Sequence, residues 1–421
     1  MKILFITPGA GDSFYCGNCF RDNLQASALR KAGHEVVVMP LYLPLKHETF
    51  RADTPLFFPA TTYYVAQKFF GNRKMPNWLQ RLTASEPLLN MASSMSGTTS
   101  AGGMEDMTLS MITGDDPAFG EHVKPLIRWI KEYERFDLIH LSSTLLLGIA
   151  KEIKQQLALP IVCSVQDEEV WIDSLNNKDA TVAWQGIRDN LRYIDGFIAT
   201  SKFYSDKISR QIPEIGNIHV VYPGIDRDKY ASDSYPADPT IGFFYRMNRL
   251  NGLDILAEAF VKLKKKDVIK NLKLKIGGGY SGEDKRFMKE IRKILAPYSQ
   301  DVEISNSYDL DDHAGFYREI TVISVPIIFD ESVGLYLCEA FAAGRPAVEP
   351  ATGSFPEIIG NAGILYEPNN SDELGDALER LLFDGSLLER SKENARRLSD
   401  TRYNNMVSAA GIIKIYQQFV K

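Results

Sequence analysis

Short apolar runs alternate along the chain with segments whose apolar residues recur at helical spacing. Such runs predict strands buried on both faces, as in a parallel sheet with helical connections. In the first half the predicted strands are 3–7, 36–39, 137–140, 159–165, 196–200 and 218–221, with a helix over 18–31. In the second half they are 240–245, 272–276, 302–304, 321–328 and 347–348, with a helix over 252–265. The alternation predicts two α/β units.

A short segment separates the two predicted units. Residues 231–239 contain two prolines and few large apolar side chains, which is the composition of a linker. We therefore expect a first domain over 1–230 and a second domain over 238–404. Residues 405–421 form an amphipathic segment that predicts a final helix. The predicted fold class is α/β, with two Rossmann-like domains and a cleft between them.

The region 48–116 interrupts the first unit and is far longer than an ordinary connection. Within it, residues 63–81 combine aromatic and basic side chains. One interpretation is a helical insertion that packs on the first domain. The others are a lid over an acceptor or a peripheral membrane contact through 63–81, because basic and aromatic residues together favour membrane interfaces.

Composition and charge exclude several classes of protein. The chain has 421 residues and a net charge of −6, so a general nucleic-acid binder, which would be basic, is not expected. No run reaches the ~18 apolar residues that cross a bilayer, and the apolar start is too short for a signal peptide. The low cysteine content fits a reducing compartment. We expect a cytoplasmic protein, at the inner membrane face if 63–81 binds lipid.

The cysteines do not predict a metal site. Cys16 and Cys19 have the spacing of a zinc-ligand pair, but zinc needs two further ligands, and Cys163 and Cys338 are isolated. The loop 9–17 is also too long and Gly-rich for a thioredoxin-like motif. We therefore expect ordinary thiols and no metal.

The segment 329–359 carries the strongest functional pattern. Two carboxylates, Glu331 and Glu339, are eight residues apart, the first in a loop after a buried strand and the second inside the following helix. Ligands bind at the carboxyl ends of parallel strands, and a carboxylate suits paired sugar hydroxyls. The pattern therefore predicts a sugar-binding site at this strand end.

Glycines and backbone amides provide the second part of the predicted site. N–H groups at a helix N-terminus favour a phosphate, and glycine lets a ligand approach the main chain closely. We assign the following residues to the binding of a phosphate-bearing sugar ligand, which is called the donor below: Gly11, Gly277, Gly278, Val333, Gly334, Leu335 and Glu339.

These motifs resemble the retaining nucleotide-sugar glycosyltransferases of family four (glycosyltransferase group 1), which have the GT-B fold. The resemblance covers most of the chain outside 48–116. It implies that Glu339 binds ribose hydroxyls, that Glu331 holds the sugar, and that Arg246 clamps the diphosphate. It also implies that the final helix crosses back onto the first domain.

Two positions depart from the family pattern. A lysine is expected five residues after Arg246, but Asn251 stands there, and Arg249 has the charge to take its place. His140 matches the first histidine of a His-x-His pattern near the reacting carbon, whereas Ser142 replaces the second; a lone histidine at a strand end is more often structural. The candidate catalytic residues are Arg246, Arg249, Glu331 and His140.

The sequence therefore predicts a metal-independent glycosyltransferase. It would move a sugar, with retention of configuration, from a nucleotide-diphosphate donor to a glycan, lipid or small-molecule acceptor. The nucleotide sugar is a co-substrate, and no other cofactor is expected. Two alternatives remain open. A catalytically weak nucleotide-sugar binding protein would account for Asn251 and Ser142, and a nucleotide-sugar epimerase shares the architecture but is not expected to carry the paired glutamates.

Overall fold

The computed structural model describes residues 1–9, 17–41, 46–47, 50–51, 54, 105–115, 117–133, 135–216, 218–232, 234–306 and 313–420. The predictions for Gly11, Cys16 and the segment 63–81 lie outside these residues. The described chain forms two six-stranded parallel sheets with helices packed against them, which confirms the predicted α/β class with two Rossmann-like domains.

The first sheet belongs to the first domain. Its strands are β1 (Lys2–Thr7), β2 (Glu35–Pro40), β5 (Leu138–Leu141), β6 (Ile161–Val165), β7 (Gly196–Ala199) and β8 (Ile218–Val220), while β3 (Lys46–His47) and β4 (Phe50–Arg51) form a separate antiparallel pair. The spatial order is β2-β1-β5-β6-β7-β8, and neighbouring strands are parallel. The carboxyl ends of all six strands therefore meet at one edge of the sheet.

The helices of the first domain begin with α1 and include the described end of the long insertion. They are α1 (Gly17–Lys31), α2 (Glu105–Thr113), α3 (Pro117–Glu132), α4 (Ala150–Leu157), α5 (Glu168–Ile172), α6 (Asn177–Asn190) and α7 (Lys202–Gln211). Met107, Met111 and Ile112 of α2 are buried in the core of this domain. The described end of the insertion is thus a packed helix, as the first interpretation of 48–116 expects.

The second sheet repeats the parallel design. Its strands are β9 (Thr240–Phe244), β10 (Lys273–Gly277), β11 (Val302–Ile304), β12 (Val322–Ile323), β13 (Ala347–Pro350) and β14 (Gly363–Tyr366), in the order β11-β10-β9-β12-β13-β14. The prediction of a strand over 321–328 was too long. Pro326 has no N–H to donate, and the N–H of Val325 bonds the Glu349 carboxylate at 3.1 Å, so the ladder ends early.

The helices of the second domain follow the predicted apolar spacing. They are α8 (Arg227–Tyr230), α9 (Leu253–Lys266), α10 (Lys285–Leu295), α11 (His313–Arg318), α12 (Leu335–Ala342), α13 (Phe355–Ile359), α14 (Ser371–Phe383) and α15 (Gly385–Thr401). Helix α8 lies within the range expected for the first domain, but its Tyr230 is buried in the core of the second. In α9, for example, Leu256, Phe260 and Leu263 are buried on one face against the core of the domain. Helix α9 therefore packs on the domain core with its apolar side, whereas α12 is buried on all sides.

The final helix, α16 (Asn405–Tyr416), lies against the first domain rather than the second. Ile412 and Tyr416 are buried in one cluster with Phe5 and Leu138 of the first sheet. The chain consequently passes between the domains twice, once before β9 and once before α16.

Candidate functional site

The candidate residues lie at the carboxyl ends of the second sheet, where it faces the first domain. Arg246 follows β9, Gly277 ends β10, and Glu331 lies in the loop after β12. From the first domain, Asp167 follows β6, and its Oδ2 accepts a hydrogen bond from the Ser332 hydroxyl at 2.7 Å. Strand-end loops of both domains thus contact each other between the two sheets, at the edge where parallel α/β sheets bind ligands.

Glu331 is buried (3% exposed) in the loop that leads to α12. Its Oε1 accepts N–H hydrogen bonds from Gly334 at 3.2 Å and Val333 at 3.5 Å. Burial raises the pKa of Glu331, and the two amide bonds oppose that rise. The amides of Val333 and Gly334, which we predicted to bind a phosphate, therefore donate to the carboxylate of Glu331. A phosphate must compete with this carboxylate for them.

Gly334 allows the sharp turn into α12. Its φ of +61° lies in the left-handed region, which glycine adopts without strain. The side chains of Val333 and Leu335 are buried in the core of the second domain. At these positions, contact with a ligand in the cleft is left to the main chain.

Glu339 is fully buried inside α12 and bonded by groups of its own domain. Its Oε1 lies 2.6 Å from Nδ1 of His313 and accepts a hydrogen bond from the Tyr230 hydroxyl at 2.8 Å. Its Oε2 accepts from the Tyr317 hydroxyl at 3.2 Å. These bonds offset the cost of burying a carboxylate. Ribose hydroxyls could reach Glu339 only by replacing some of them.

Arg246 is 2% exposed and bonded to acidic side chains from the loop after β10. Its Nε donates to Asp284 Oδ2 at 3.1 Å, its Nη2 donates to Ser281 Oγ at 3.1 Å, and Glu283 is a further ion-pair partner. Asn251 lies directly beside it, because its Nδ2 donates to the Arg246 carbonyl oxygen at 2.8 Å. The guanidinium charge is compensated by two carboxylates, which a diphosphate must displace.

Arg249 does not replace the missing lysine in this structure. Its side chain is 61% exposed, and its guanidinium pairs with Asp254 at 2.6 Å and Glu290 at 2.8 Å. It also stands 5.0 Å from the centre of the Phe287 ring. Helix α10, which carries Glu290 and Phe287, holds the side chain on the surface.

Gly277 and Gly278 form a close turn at the end of β10. Gly278 has a φ of +102°, and a side chain there would collide with the Tyr245 carbonyl oxygen. An added Cβ at Gly277 would lie 2.9 Å from the Phe244 ring. Packing between adjacent strand ends therefore accounts for both glycines, and their contact with a nucleotide stays a prediction.

His140 lies inside the first domain rather than in the cleft. It is fully buried, its Nε2 lies 2.8 Å from Ser164 Oγ, and its Nδ1 bonds the hydroxyl of Tyr416 in α16. Burial, followed by the positive charge of Arg21, lowers the pKa of His140 to about 3. A neutral histidine under the final helix is a packing residue, and its surroundings do not support the predicted catalytic role.

Asp167 is an acidic residue of the first domain that contacts the second, through Ser332. In the run after β6, Glu168 bonds the N–H of Gln166 at 2.7 Å, and Glu169 pairs with Lys207 at 2.8 Å. Burial, and then the Glu331 carboxylate, raise the pKa of Asp167 well above its ordinary value. Within the described part of the chain, no three or more His, Cys, Asp and Glu side chains are grouped to hold a metal ion.

Sequence reasoning missed three side chains at this site. Asp284 had a local signal, since Ser281 and Asp284 have the Ser-x-x-Asp spacing of a capping turn before a helix. Ser332 and His313 had none, because their partners Asp167 and Glu339 are 165 and 26 residues away in the chain.

Two family models match the two halves of the cleft. The model described as "Glycosyl transferases group 1" matches residues 238–384, and "Glycosyltransferase Family 4" matches 114–229. A D-inositol 3-phosphate glycosyltransferase of Corynebacterium jeikeium is 26% identical over 263 residues, covering 58% of this chain and 62% of that protein. An uncharacterized glycosyltransferase of Methanocaldococcus jannaschii is 23% identical over 293 residues, covering 69% and 77%. The first of these matches spans less than two thirds of the relative.

Solved structures share the architecture along the whole chain. A sucrose-phosphate synthase from Thermosynechococcus elongatus superposes with a TM-score of 0.72 at 17% identity and covers 99% of both chains. HepE from Anabaena, solved with UDP-glucose, superposes with a TM-score of 0.67 at 15% identity, covering 99% of this chain and all of that one. At these identities the likeness shows the shared two-domain fold.

Proposed function

We propose that this chain, which belongs to the group 1 glycosyltransferases of family four, transfers a sugar from a nucleotide-diphosphate donor. The observation that carries the proposal is the meeting of Arg246, Glu331 and the Gly277–Gly278 turn at the strand ends of the second domain, opposite Asp167 of the first. These groups are suited to diphosphate, sugar and nucleoside, respectively.

The donor would bind the second domain through its diphosphate. Of the two candidate cations, Arg246 and Arg249, Arg246 lies beside the turn formed by Gly277 and Gly278. Arg249 instead forms ion pairs on the protein surface. The amides at the start of α12 are the other donors. HepE, whose solved complexes contain UDP and UDP-glucose, makes these two ligands the first probes.

The transfer would break the bond between the anomeric carbon and the diphosphate and form a bond from that carbon to an acceptor oxygen. Retention follows if the acceptor attacks from the face that the diphosphate leaves, and the departing phosphate then takes the acceptor proton. Guanidinium and helix amides would stabilise the leaving charge without a metal. Glu331 would hold sugar hydroxyls in this arrangement.

The acceptor would bind the first domain near Asp167, whose carboxylate contacts the loop of the second domain that carries Glu331 and Ser332 (the donor loop). We propose a glycan, lipid or small hydroxylated molecule; the relatives named D-inositol 3-phosphate glycosyltransferases add that phosphorylated polyol to the panel. In the described ranges, no helix combines the length and apolar character needed to cross a bilayer. A peripheral contact through 63–81 and a cytoplasmic location stay proposals.

A second candidate is a weak binder of nucleotide sugars. The pairing of Arg246 with two carboxylates and the amide of Asn251 favour it, since both reduce positive charge where a diphosphate would lie. The two candidates are separated by incubating the protein with UDP, GDP and ADP sugars, with and without acceptors, and measuring released nucleoside diphosphate. An enzyme releases it with at least one donor, and a binder shows saturable binding without release.

A further inference from the structure

Glu357 of the second domain caps a helix of the first domain. Its Oε1 accepts the backbone N–H of Lys202 at 2.8 Å, and its Oε2 accepts that of Phe203 at 2.8 Å. Lys202 and Phe203 begin α7, which follows β7 of the first sheet, whereas Glu357 lies on α13, which follows β13 of the second. The two oxygens of one side chain therefore join the two domains.

The contact between the Glu357 carboxylate and the start of α7 combines hydrogen bonds with a favourable charge interaction. The first N–H groups of a helix have no acceptor within the helix, and a carboxylate at this end is favoured by the helix dipole. Arg402, from the second domain, lies 3.6 Å from Oε1 of Glu357, and the hydroxyl of Tyr222, from the segment after β8, donates to the same oxygen. These two partners orient the carboxylate toward α7.

The same turn of α7 touches the donor loop directly. The hydroxyl of Ser201, the N-cap residue of α7, donates to the Ser332 carbonyl oxygen at 2.6 Å. Both residues are fully buried. Ser332 in turn donates its hydroxyl to Asp167 at 2.7 Å. The helix start, the donor loop and the Asp167 loop are therefore joined by a buried chain of hydrogen bonds.

Tyr204 links α7 to the acidic loop from the other side. Its hydroxyl lies 2.7 Å from Oε2 of Glu168 and 2.7 Å from Oε2 of Glu169. Because Tyr204 is fully buried in the first turn of α7, a shift of that turn moves the loop that carries Asp167. The place of α7 against the second domain consequently sets the distance between Asp167 and the donor loop.

We infer that Glu357 is a positioning residue for sugar transfer. It touches no substrate; by holding the N-terminus of α7, it keeps Asp167 opposite the donor loop of Glu331. The inference rests on the proposed function for its catalytic part only. The attachment between the domains can be measured without any turnover.

One pair of variants at Lys202 isolates the attachment. Lys202→Pro removes the N–H that Glu357 accepts, yet proline is well tolerated at the first position of a helix, and the extended Ser201 (φ −152°, ψ 162°) suits a following proline. Lys202→Ala keeps the N–H. Both variants lose the surface pair with Asp206 equally. The comparison of the two therefore reports the interdomain hydrogen bond alone.

We expect Lys202→Pro to lower kcat about tenfold or more, because a hydrogen bond to a charged group contributes about that factor. The KM for the donor should stay within about twofold. Small-angle scattering should show a larger radius of gyration for Lys202→Pro than for Lys202→Ala, which should match the wild type. Glu357→Gln keeps one acceptor oxygen and should lie between them; it replaces Lys202→Pro if that variant fails to fold.

Equal kcat and equal radius of gyration in Lys202→Pro and Lys202→Ala would overturn the inference. A merely structural role would lower the melting temperature and leave the kcat of the folded enzyme unchanged, which also overturns it. If the wild type turns over no nucleotide sugar, the proposed function fails and the positioning role fails with it, whereas the scattering comparison still decides whether Glu357 joins the domains.

Discussion

The hydroxyl of Ser332, in the second domain, donates a hydrogen bond to Oδ2 of Asp167, in the first domain, at 2.7 Å. Burial, and then the negative charge of Glu331, which precedes Ser332 in the chain, raise the pKa of Asp167. A carboxylate of the first domain and one of the second therefore lie close enough for their charges to interact. The cost of that arrangement depends on pH, because it falls when one of the two acids is protonated.

Asp167→Asn should reduce the loss of folding stability that accompanies a rise in pH. Since burial and Glu331 raise the pKa of Asp167, the folded state binds this proton more tightly than the unfolded state, and stability declines as pH rises from 3.8 through the raised pKa. Asparagine keeps an acceptor for Ser332 and removes the charge. In thermal unfolding, the melting temperature of the variant should exceed that of the wild type by more at alkaline than at acidic pH; a constant difference would contradict this.

His140→Phe should lower stability and leave the kinetics of the folded enzyme unchanged. Loss of the imidazole leaves the buried hydroxyls of Tyr416 and Ser164 short of a partner, which costs about 1–3 kcal/mol in the free energy of unfolding. Denaturant unfolding at neutral pH measures this cost, and kcat measures the catalytic role. A loss of kcat beyond about tenfold, at full folding, would restore the catalytic assignment.

The stability of His140→Phe should fall less than that of the wild type as the pH decreases. The pKa of His140 is lowered from 6.5 to about 3 in the folded state, so its contribution to stability is complete above pH 6.5 and is lost as pH falls below it. The wild type loses up to about 1.4 kcal/mol per pH unit through this group, and phenylalanine cannot take up the proton. Unfolding curves measured on either side of pH 6.5 test this, and parallel slopes for both proteins would oppose it.

Asn251→Lys should tighten the binding of a nucleoside diphosphate by about tenfold, because it adds one charge-assisted hydrogen bond next to Arg246. Asn251→Met is the matched control, with a similar length and no charge, and it should not tighten binding. Calorimetric titration of UDP into the three proteins gives the affinities. Equal affinities for the lysine and methionine variants would place position 251 outside the diphosphate site.

Gly252→Ala should destabilise the second domain by well over about 1 kcal/mol. Gly252 has a φ of +68°, and a Cβ there would collide with the Pro326 carbonyl oxygen. Gly385→Ala is the control, since a Cβ at Gly385, the first residue of α15, would meet nothing within 4 Å. Denaturant unfolding should separate the two variants, and equal stability would show that the turn at Gly252 adapts.

The fold could be predicted because its signals are local. The apolar runs that became β1, β6 and β9 are buried strands, and the spacing of Leu256 and Phe260 predicts the buried face of α9. Where a local signal was overlooked, the prediction failed locally: Pro326 ends the ladder of β12 after two residues.

The site could be predicted only in part, because its charges are set by partners distant in sequence. The position of Arg246 after a strand was correct, but its pairing with Asp284, 38 residues away, could not be deduced from its neighbours. The partner of His140 is also distant in sequence, because Tyr416 lies 276 residues away in the final helix. Only the tertiary structure therefore shows which polar and charged groups are paired.

The proposed activity requires that the diphosphate of a nucleotide sugar binds Arg246 at the strand ends of the second domain. Calorimetric titration of UDP, GDP and ADP into the wild type, Arg246→Met and Arg249→Met measures this binding. We predict that at least one nucleoside diphosphate binds the wild type with one site, that Arg246→Met weakens it about tenfold or more, and that the surface-paired Arg249→Met stays within about twofold. Binding that is absent in the wild type, or unchanged in a folded Arg246→Met, would exclude Arg246 as the diphosphate ligand of this protein.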